Sequence, residues 1–343
     1  MTTRDVSANT HAEIYRHIWG YRRSQCVGVA AELQLPEKLA GGPRSAADLA
    51  RECGVHERSL FRVMRTLAAL GVLRLENDGR FSLTPVGEEL RADRLGPLAR
   101  MFTRDPHWTS WMRLDHSVRT GERAFDLVHG MRDWDYYATN PDAGAIFDQA
   151  MSALTKPVAK AVAATYDFSR FGVVADVGGG DGTLLMGILD RYASIRGLIY
   201  DLPGVIERTR KRVAEAGLSD RMDLVAGSFL EGVPAGADVY MMKSIIHDWE
   251  DADAHRILKH VRAAAGAKDT RLLLIERVLG EKAAGEDIDN LLSDLNMMVN
   301  LGGQERTEAE FEAMLSKTGF RLERIIPTGT VFYTLEAVTD RPT

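Results

Sequence analysis

Apolar side chains recur at helical spacing through residues 11–40, among them Ile14, Ile18, Val27, Val29, Ala30, Leu33 and Leu35, and Pro36 closes or restarts the pattern. That spacing predicts helix. Two shorter helical patterns follow. Ser45 precedes A-A-D-L-A-R-E-C-G, and His56 to Leu70 puts Leu60, Val63, Met64, Leu67 and Leu70 on one face, with Gly54 between the two segments. Val72 to Leu83 then alternates apolar and polar residues on both sides of Asp78-Gly79, a hairpin signal. Two helices and a hairpin outline a winged helix. From Pro97 to about Tyr166 the pattern is helical again and rich in aromatic residues, among them Phe102, Trp108, Trp111, Trp134, Tyr136 and Phe147. Most of these suit ordinary packing, and some suit a pocket for a flat aromatic ligand.

After Phe171 short β-branched runs alternate with longer helical ones, the pattern of a parallel sheet covered by helices on both faces. The strands predicted are 173–177, 197–200, 222–225, 239–243, 272–276, 321–327 and 331–337, the last two as an antiparallel pair about Thr328-Gly329-Thr330. The fold class is therefore α/β, with the sheet in the C-terminal half. A chain of 343 residues is long enough for two domains. The expected divisions are a winged-helix-like domain over 1–96, a helical linker over 97–165 and a sheet domain over 166–343.

Charge narrows the function. Lys plus Arg number 43 against 49 Asp plus Glu, a net charge of −6, which argues against a bulk grip on nucleic acid or an anionic membrane. The second helix of the winged pattern does present Arg58, Arg62 and Arg65, but beside Glu57 and in an acidic chain, so a structural or dimerising role is preferred to DNA binding. Cys26 and Cys53 form no Cys-x-x-Cys pair, which disfavours a disulfide scaffold or a cysteine-ligated zinc. Residues 1–10 have no apolar stretch suited to a signal peptide and no run approaches a membrane span, so a cytoplasmic location is expected.

The first predicted strand runs into Asp176-Val177-Gly178-Gly179-Gly180-Asp181-Gly182 and then a helix near Thr183. Such a turn lets the backbone approach a ligand at the positive end of a helix. A dinucleotide fingerprint would need a glycine where Thr183 stands, and no Gly-Lys-Ser/Thr follows for a phosphate loop. The second strand ends at Asp201, 23 residues after Gly178, where a carboxylate can accept hydrogen bonds from both ribose hydroxyls. An adenosine-type ligand is implied; helix capping before Leu202-Pro203 is the plainer reading of Asp201 alone. His247 lies just after the fourth strand, at the carboxyl end of the sheet where open α/β folds place ligands. Two other readings stand beside a base: His247 opens a helix whose acids Asp248, Glu250, Asp251 and Asp253 complement its dipole, or these residues bind a metal, although adjacent residues cannot all point at one ion.

The V-D-V-G-G-G turn, D-L-P-x-V-I after the second strand, I-I-H-D-W-E-D after the fourth, D-W-D-Y-Y-A-T-N-P and G-G-Q-E-R-T-E-A-E-F stand in order over nearly the whole chain. In these the chain resembles the S-adenosylmethionine-dependent small-molecule O-methyltransferases of the plant caffeic acid and bacterial antibiotic-tailoring type. The resemblance implies a Rossmann-like methyltransferase sheet behind an N-terminal all-helical, winged-helix-like dimerisation domain. It implies S-adenosylmethionine as cofactor, held by Asp176, Gly178, Gly180, Asp201, Leu202, Ser228, Phe229 and Lys243, with Gly178 and Gly180 facing the methionine part and Asp201 the ribose. Ser228 stands where the family commonly has an acid beside the adenine. By the same resemblance His247 is the general base, Glu276 and Glu305 flank it, and Asp248 assists. Met297, Met298 and Asn300 would face the acceptor, with Phe147 and Met151 on the opposite wall; a plain core role for the methionines is equally open. A homodimer acting on an aromatic hydroxyl without metal is expected, with neither nucleic acid nor membrane as partner. The rival expectations are a relative that uses the cofactor for decarboxylation or hydroxylation, and a winged-helix regulator that senses a ligand.

Overall fold

The computed structural model describes residues 3–266, 269–280 and 288–340, so the outermost residues of the first and last expected domains lie outside the described residues. The chain falls into two compact units, residues 1–108 with 142–153, and residues 109–141 with 154–343. The stretch 97–165, expected as one separate linker, is thus shared out. One physical reason is that residues 109–141 bond within the second unit: the indole Nε1 of Trp111 donates to Asn296 Oδ1 at 2.9 Å.

In the first unit the helices Ala46–Cys53 and Glu57–Ala69 form the expected pair. Ser45 caps the former by accepting from the Asp48 amide, and Gly54 ends it in the left-handed region at φ 66°. Leu49, Leu60, Met64 and Leu67 meet Leu35 and Phe81 in one buried cluster. The wing is a real two-stranded antiparallel sheet, β1 (Leu73–Leu75) with β2 (Phe81–Leu83), so this unit is not all-helical. The predicted N-terminal helix is three, Thr3–Ile18, Gly20–Glu32 and Leu35–Leu39.

The second unit is built on a seven-stranded sheet of β3 (Val173–Val177), β4 (Arg196–Asp201), β5 (Met222–Ala226), β6 (Val239–Lys243), β7 (Arg271–Glu276), β10 (Phe320–Pro327) and β11 (Tyr333–Thr339). Its order is β10-β11-β7-β6-β3-β4-β5. β3 to β7 are parallel, and β11 enters antiparallel between β7 and β10. Alternate residues along β6 belong to different clusters, Val239 and Met241 to one and Tyr240 and Met242 to the other. Both faces are therefore covered, which is why the central strands read as mainly apolar runs, with Asp176 in β3 and Lys243 at the end of β6 as exceptions. A further pair, β8 (Val278–Leu279) and β9 (Arg306–Thr307), forms a short parallel ribbon of its own. Among the described residues no helix is long and apolar enough to cross a membrane.

Candidate active site

From β3 the chain order steps to β4 on one side and later to β6 on the other, so the carboxyl end of β3 is a topological switch point. The glycine turn lies there. Gly178 donates its amide to the Tyr200 carbonyl at 2.8 Å, tying the turn to β4. Gly180 has φ 56°, and a Cβ built on it would meet no atom within 4 Å, so there is open space beside it although its amide and carbonyl are bonded to Asp201 and Thr209. Asp201 braces this turn: Oδ2 accepts from the Gly180 amide at 2.8 Å and Oδ1 from the Leu202 amide at 2.7 Å. Asp176 is buried beneath, and its Oδ2 has no hydrogen-bond partner. Burial, then the nearby charge of Asp201, pushes its carboxyl up to about 7 while Lys243 pulls the other way.

Lys243 ends β6. Its ammonium donates to Ser244 Oγ at 3.0 Å and lies 4.9 Å from the centre of the Phe332 ring, and burial holds its pKa down. Ser244 itself sits at φ 53°, an uncommon conformation for a residue with a side chain, where the chain leaves the strand. Ser228 and Phe229 are half-buried, and Phe229 packs edge-on against Trp249 at 5.8 Å. Leu202 is exposed. Open space beside a glycine, an unpartnered buried carboxyl oxygen and a lysine at one strand end suit a ligand that carries both amino and carboxylate groups, as the methionine part of S-adenosylmethionine does.

His247 occupies a single 3-10 turn, Ile246–Asp248, directly after β6. Its Nδ1 is 3.1 Å from Glu305 Oε1 and 3.6 Å from Glu276 Oε2, and its Nε2 is 3.3 Å from Asp248 Oδ1. All four side chains are buried. Glu276 holds the turn as well, because its Oε1 accepts from the amides of Ile245 and Ile246 at 3.0 and 2.9 Å. Glu305 Oε1 also accepts from Ser293 Oγ at 2.7 Å, and the Glu305 amide donates to Asp294 Oδ1. Burial would lower the imidazole pKa, but Glu276, Asp248 and Glu305 together outweigh it and push His247 up to about 10. Burial also raises Glu276, and raises Asp248 to about 8. At Glu305 burial is overcome by His247, which holds the carboxyl below its ordinary value. His247, Glu276 and Glu305 offer ligand atoms within 4.8 Å of one another, spacing that also suits a cation. Nδ1 faces Glu305 Oε1, as a ring proton would, and Glu276 Oε1 is committed to two amides, while the second oxygen of each glutamate is buried without a hydrogen-bond partner.

The expected acceptor residues divide between the units. Met297, Met298 and Asn300 lie on the helix Ile288–Asn300 of the second; Phe147 and Met151 lie one turn apart on the helix Pro141–Thr165, in the part that belongs to the first. Asn300 is buried, donates to Asn296 Oδ1 at 2.9 Å, and keeps its own Oδ1 without a partner. Sequence reasoning missed Ser293, Asp294 and Asn296, which carry no motif of their own. It also quoted Gly303 and Arg306 without assigning them work. A Cβ at Gly303 would stand 2.0 Å from the His247 carbonyl oxygen and 2.7 Å from the Trp249 amide, so only glycine lets this segment pass the histidine turn.

The chain is similar to known proteins over nearly its whole length. A family model for the O-methyltransferase domain matches residues 111–321, and one for the O-methyltransferase dimerisation domain matches residues 15–93. The mitomycin biosynthesis 6-O-methyltransferase of Streptomyces lavendulae is 39% identical over 330 residues, 95% of this chain and 93% of its own. The phenazine O-methyltransferase PhzM of Lysobacter antibioticus is 39% identical over 323 residues, 93% of this chain and 94% of its own. The O-methyltransferase NcsB1 from neocarzinostatin biosynthesis, solved with S-adenosylmethionine and 2-hydroxy-5-methyl naphthoic acid, superposes with a TM-score of 0.78 at 33% identity over 92% of this chain and 96% of its own. Neither rival expectation, a non-methylating relative or a ligand-sensing regulator, finds support among these. With the domain model matched over residues 111–321 and relatives 39% identical along more than nine-tenths of its length, the chain belongs to the family of S-adenosylmethionine-dependent O-methyltransferases.

Proposed function

We propose that this enzyme methylates a hydroxyl of an aromatic small molecule in secondary-metabolite or antibiotic tailoring, with His247 as general base, as a cytoplasmic homodimer and without metal. The observation that carries the reading is the buried His247, Nδ1 paired with Glu305 and Nε2 beside Asp248, at the end of the strand next to the glycine turn. The relatives' names, a mitomycin biosynthesis 6-O-methyltransferase and a phenazine O-methyltransferase, and the 2-hydroxy-5-methyl naphthoic acid bound to NcsB1 support the aromatic class.

When bound, S-adenosylmethionine supplies a methyl group on a positively charged sulfur and leaves as S-adenosylhomocysteine. Gly178, Gly180, Asp176, Asp201 and Lys243 would hold it, with Ser228 and Phe229 as the residues assigned to the adenine. His247 takes the acceptor's hydroxyl proton on Nε2 while the oxygen gains the methyl group, and Glu305 holds Nδ1–H and stabilises the imidazolium that forms. Beside a sulfonium, His247 releases its proton more readily than in the ligand-free protein, because like charges disfavour each other. Met297, Met298 and Asn300, on one helix of the second unit, would position the ring.

The test measures S-adenosylhomocysteine released with a panel of phenols, in the presence and absence of EDTA. His247→Gln should lower turnover by about 10²–10⁴-fold with little change in cofactor affinity. Wild-type turnover in a folded His247→Gln protein would refute the base, and loss of activity in EDTA restored by magnesium would refute the metal-free reading.

A further inference from the structure

Arg306 is among the largest fully buried side chains described, at 1% exposure. A guanidinium in that position is costly unless its N–H groups find acceptors. Nη1 donates to the Ile246 carbonyl at 3.0 Å and to the Gln304 carbonyl at 3.3 Å; Nη2 donates to the Trp249 carbonyl at 3.0 Å and to Asp251 Oδ1 at 2.9 Å. Ile246 and Trp249 bracket His247 and Asp248. The turn between them has little of its own to hold it, one bond from the Asp248 amide to Ile245 at 3.1 Å and one from the Trp249 amide to Ile246 at 3.3 Å.

We propose that Arg306 is a positioning residue for the transfer step, a clamp that fixes the backbone on both sides of His247 so that the imidazole meets Glu305 and the acceptor together. The proposal rests on the general-base reading of His247. Three features converge on it. Arg306 directly follows Glu305, so one strand end carries both the carboxylate that touches the ring and the cation that holds the ring's backbone. β9, which begins at Arg306, pairs with β8 through Val278↔Arg306, fixing the clamp two residues beyond Glu276. Gly303, in the same segment, passes so near the His247 carbonyl that a Cβ there would clash with it. Charge-assisted bonds to two carbonyls are about twice as strong as neutral ones, and a displacement of about 1 Å at a reacting group can cost about 10²-fold in rate.

Arg306→Lys keeps the charge but cannot fork across both carbonyls. We expect kcat to fall about 10–100-fold with the dissociation constant for S-adenosylmethionine within about twofold of wild type. The imidazole faces Glu276, Asp248 and Glu305, and a looser turn weakens that pairing, so the alkaline-rising limb of the pH–rate profile should move to lower pH. Because the clamp acts through His247, Arg306→Lys in a His247→Gln background should lower turnover by less than about twofold more. A folded Arg306→Lys enzyme with wild-type kcat and pH limb, or one changed only in melting temperature, overturns the clamp. Full multiplication of the two losses also overturns it. If Arg306→Lys does not fold, Asp251→Ala, which removes the solvent-side brace, decides by the same limb: a downward shift supports the clamp and an unchanged limb overturns it. Retained turnover in His247→Gln alone instead overturns the general-base reading.

Discussion

In the ligand-free protein Glu276, Asp248 and Glu305 hold His247 protonated to about pH 10 against the effect of burial, whereas a general base has to be neutral. The same shift is linked to stability. A folded-state pKa of about 10 against an ordinary value of 6.5 means that the folded protein binds this proton more tightly, so the contribution is complete below pH 6.5 and is lost as pH rises through about 10. Asp248, raised from 3.8 to about 8, has the same sign over its own range. Thermal melts of ligand-free wild type should therefore lose stability between pH 6.5 and 10 more steeply than those of His247→Gln; parallel curves would show that His247 takes up no such proton. Asp201 makes a different demand, because its two oxygens already brace Gly180 and Leu202. We expect Asp201→Ala to weaken S-adenosylmethionine binding by about 1.5–3 kcal/mol, read by calorimetry, and unchanged affinity in a folded variant would remove it from the cofactor site. Of the side chains gathered at His247, the histidine with Asp248 was legible in one motif and Glu305 in another, and Glu276 only through the family resemblance. Ser293 and Asn296 were not legible, since a polar residue on an amphipathic helix looks the same whether it bonds a neighbour or water.

The strands of the main sheet were legible almost to the residue, 173–177 and 239–243 with the bounds found, because burial on both faces leaves a mainly apolar run in which Asp176 and Lys243 are the charged exceptions. The last strand starts at Tyr333 and not at 331. Thr328 Oγ1 donates to the Phe332 carbonyl at 2.6 Å and so keeps residues 328–332 in a turn, and a threonine's choice between turn and strand leaves no periodic trace. The β8–β9 ribbon was illegible for a simpler reason: two residues a side carry no period. Gly303 belongs to this scale, since it decides whether one segment can cross another. Gly303→Ala would drive a methyl group into the backbone of residues 247–249, so we expect turnover to fall by more than the loss of folded protein, compared by activity per folded molecule from circular dichroism. A variant with full specific activity would show that the two segments separate freely.

For the whole chain, an ordered set of motifs carried more than any single one, and the family, the cofactor and the sheet could all be read before any coordinate. The partition into bodies could not, because it depends on which helices pack together, and helical periodicity says only that each has an apolar side. The first unit leaves Ile14, Ile18, Trp19 and Tyr21 exposed, and a match to the family's dimerisation domain spans residues 15–93. Deleting the residues before Pro36 should yield monomers or aggregates with little activity in size-exclusion chromatography with light scattering; an active monomer of the shortened chain would contradict a dimer built on these helices.

The chain leaves the histidine site at Leu279 and returns at Arg306, where β8 and β9 fasten exit to re-entry. Between those points it carries Asn296, Met297, Met298 and Asn300 on a single helix. Glu276 and Glu305 flank the two ends of this excursion, Ser293 and Asp294 of its helix bond Glu305, and Met297, Met298 and Asn300, assigned to the acceptor, lie further along the same helix. On the proposed reading, such an arrangement lets mutation explore new acceptors cheaply: substitutions at those later positions of the helix can redraw the shape offered to a ring, and the proton-handling parts, clipped together at the neck, need not be reinvented each time.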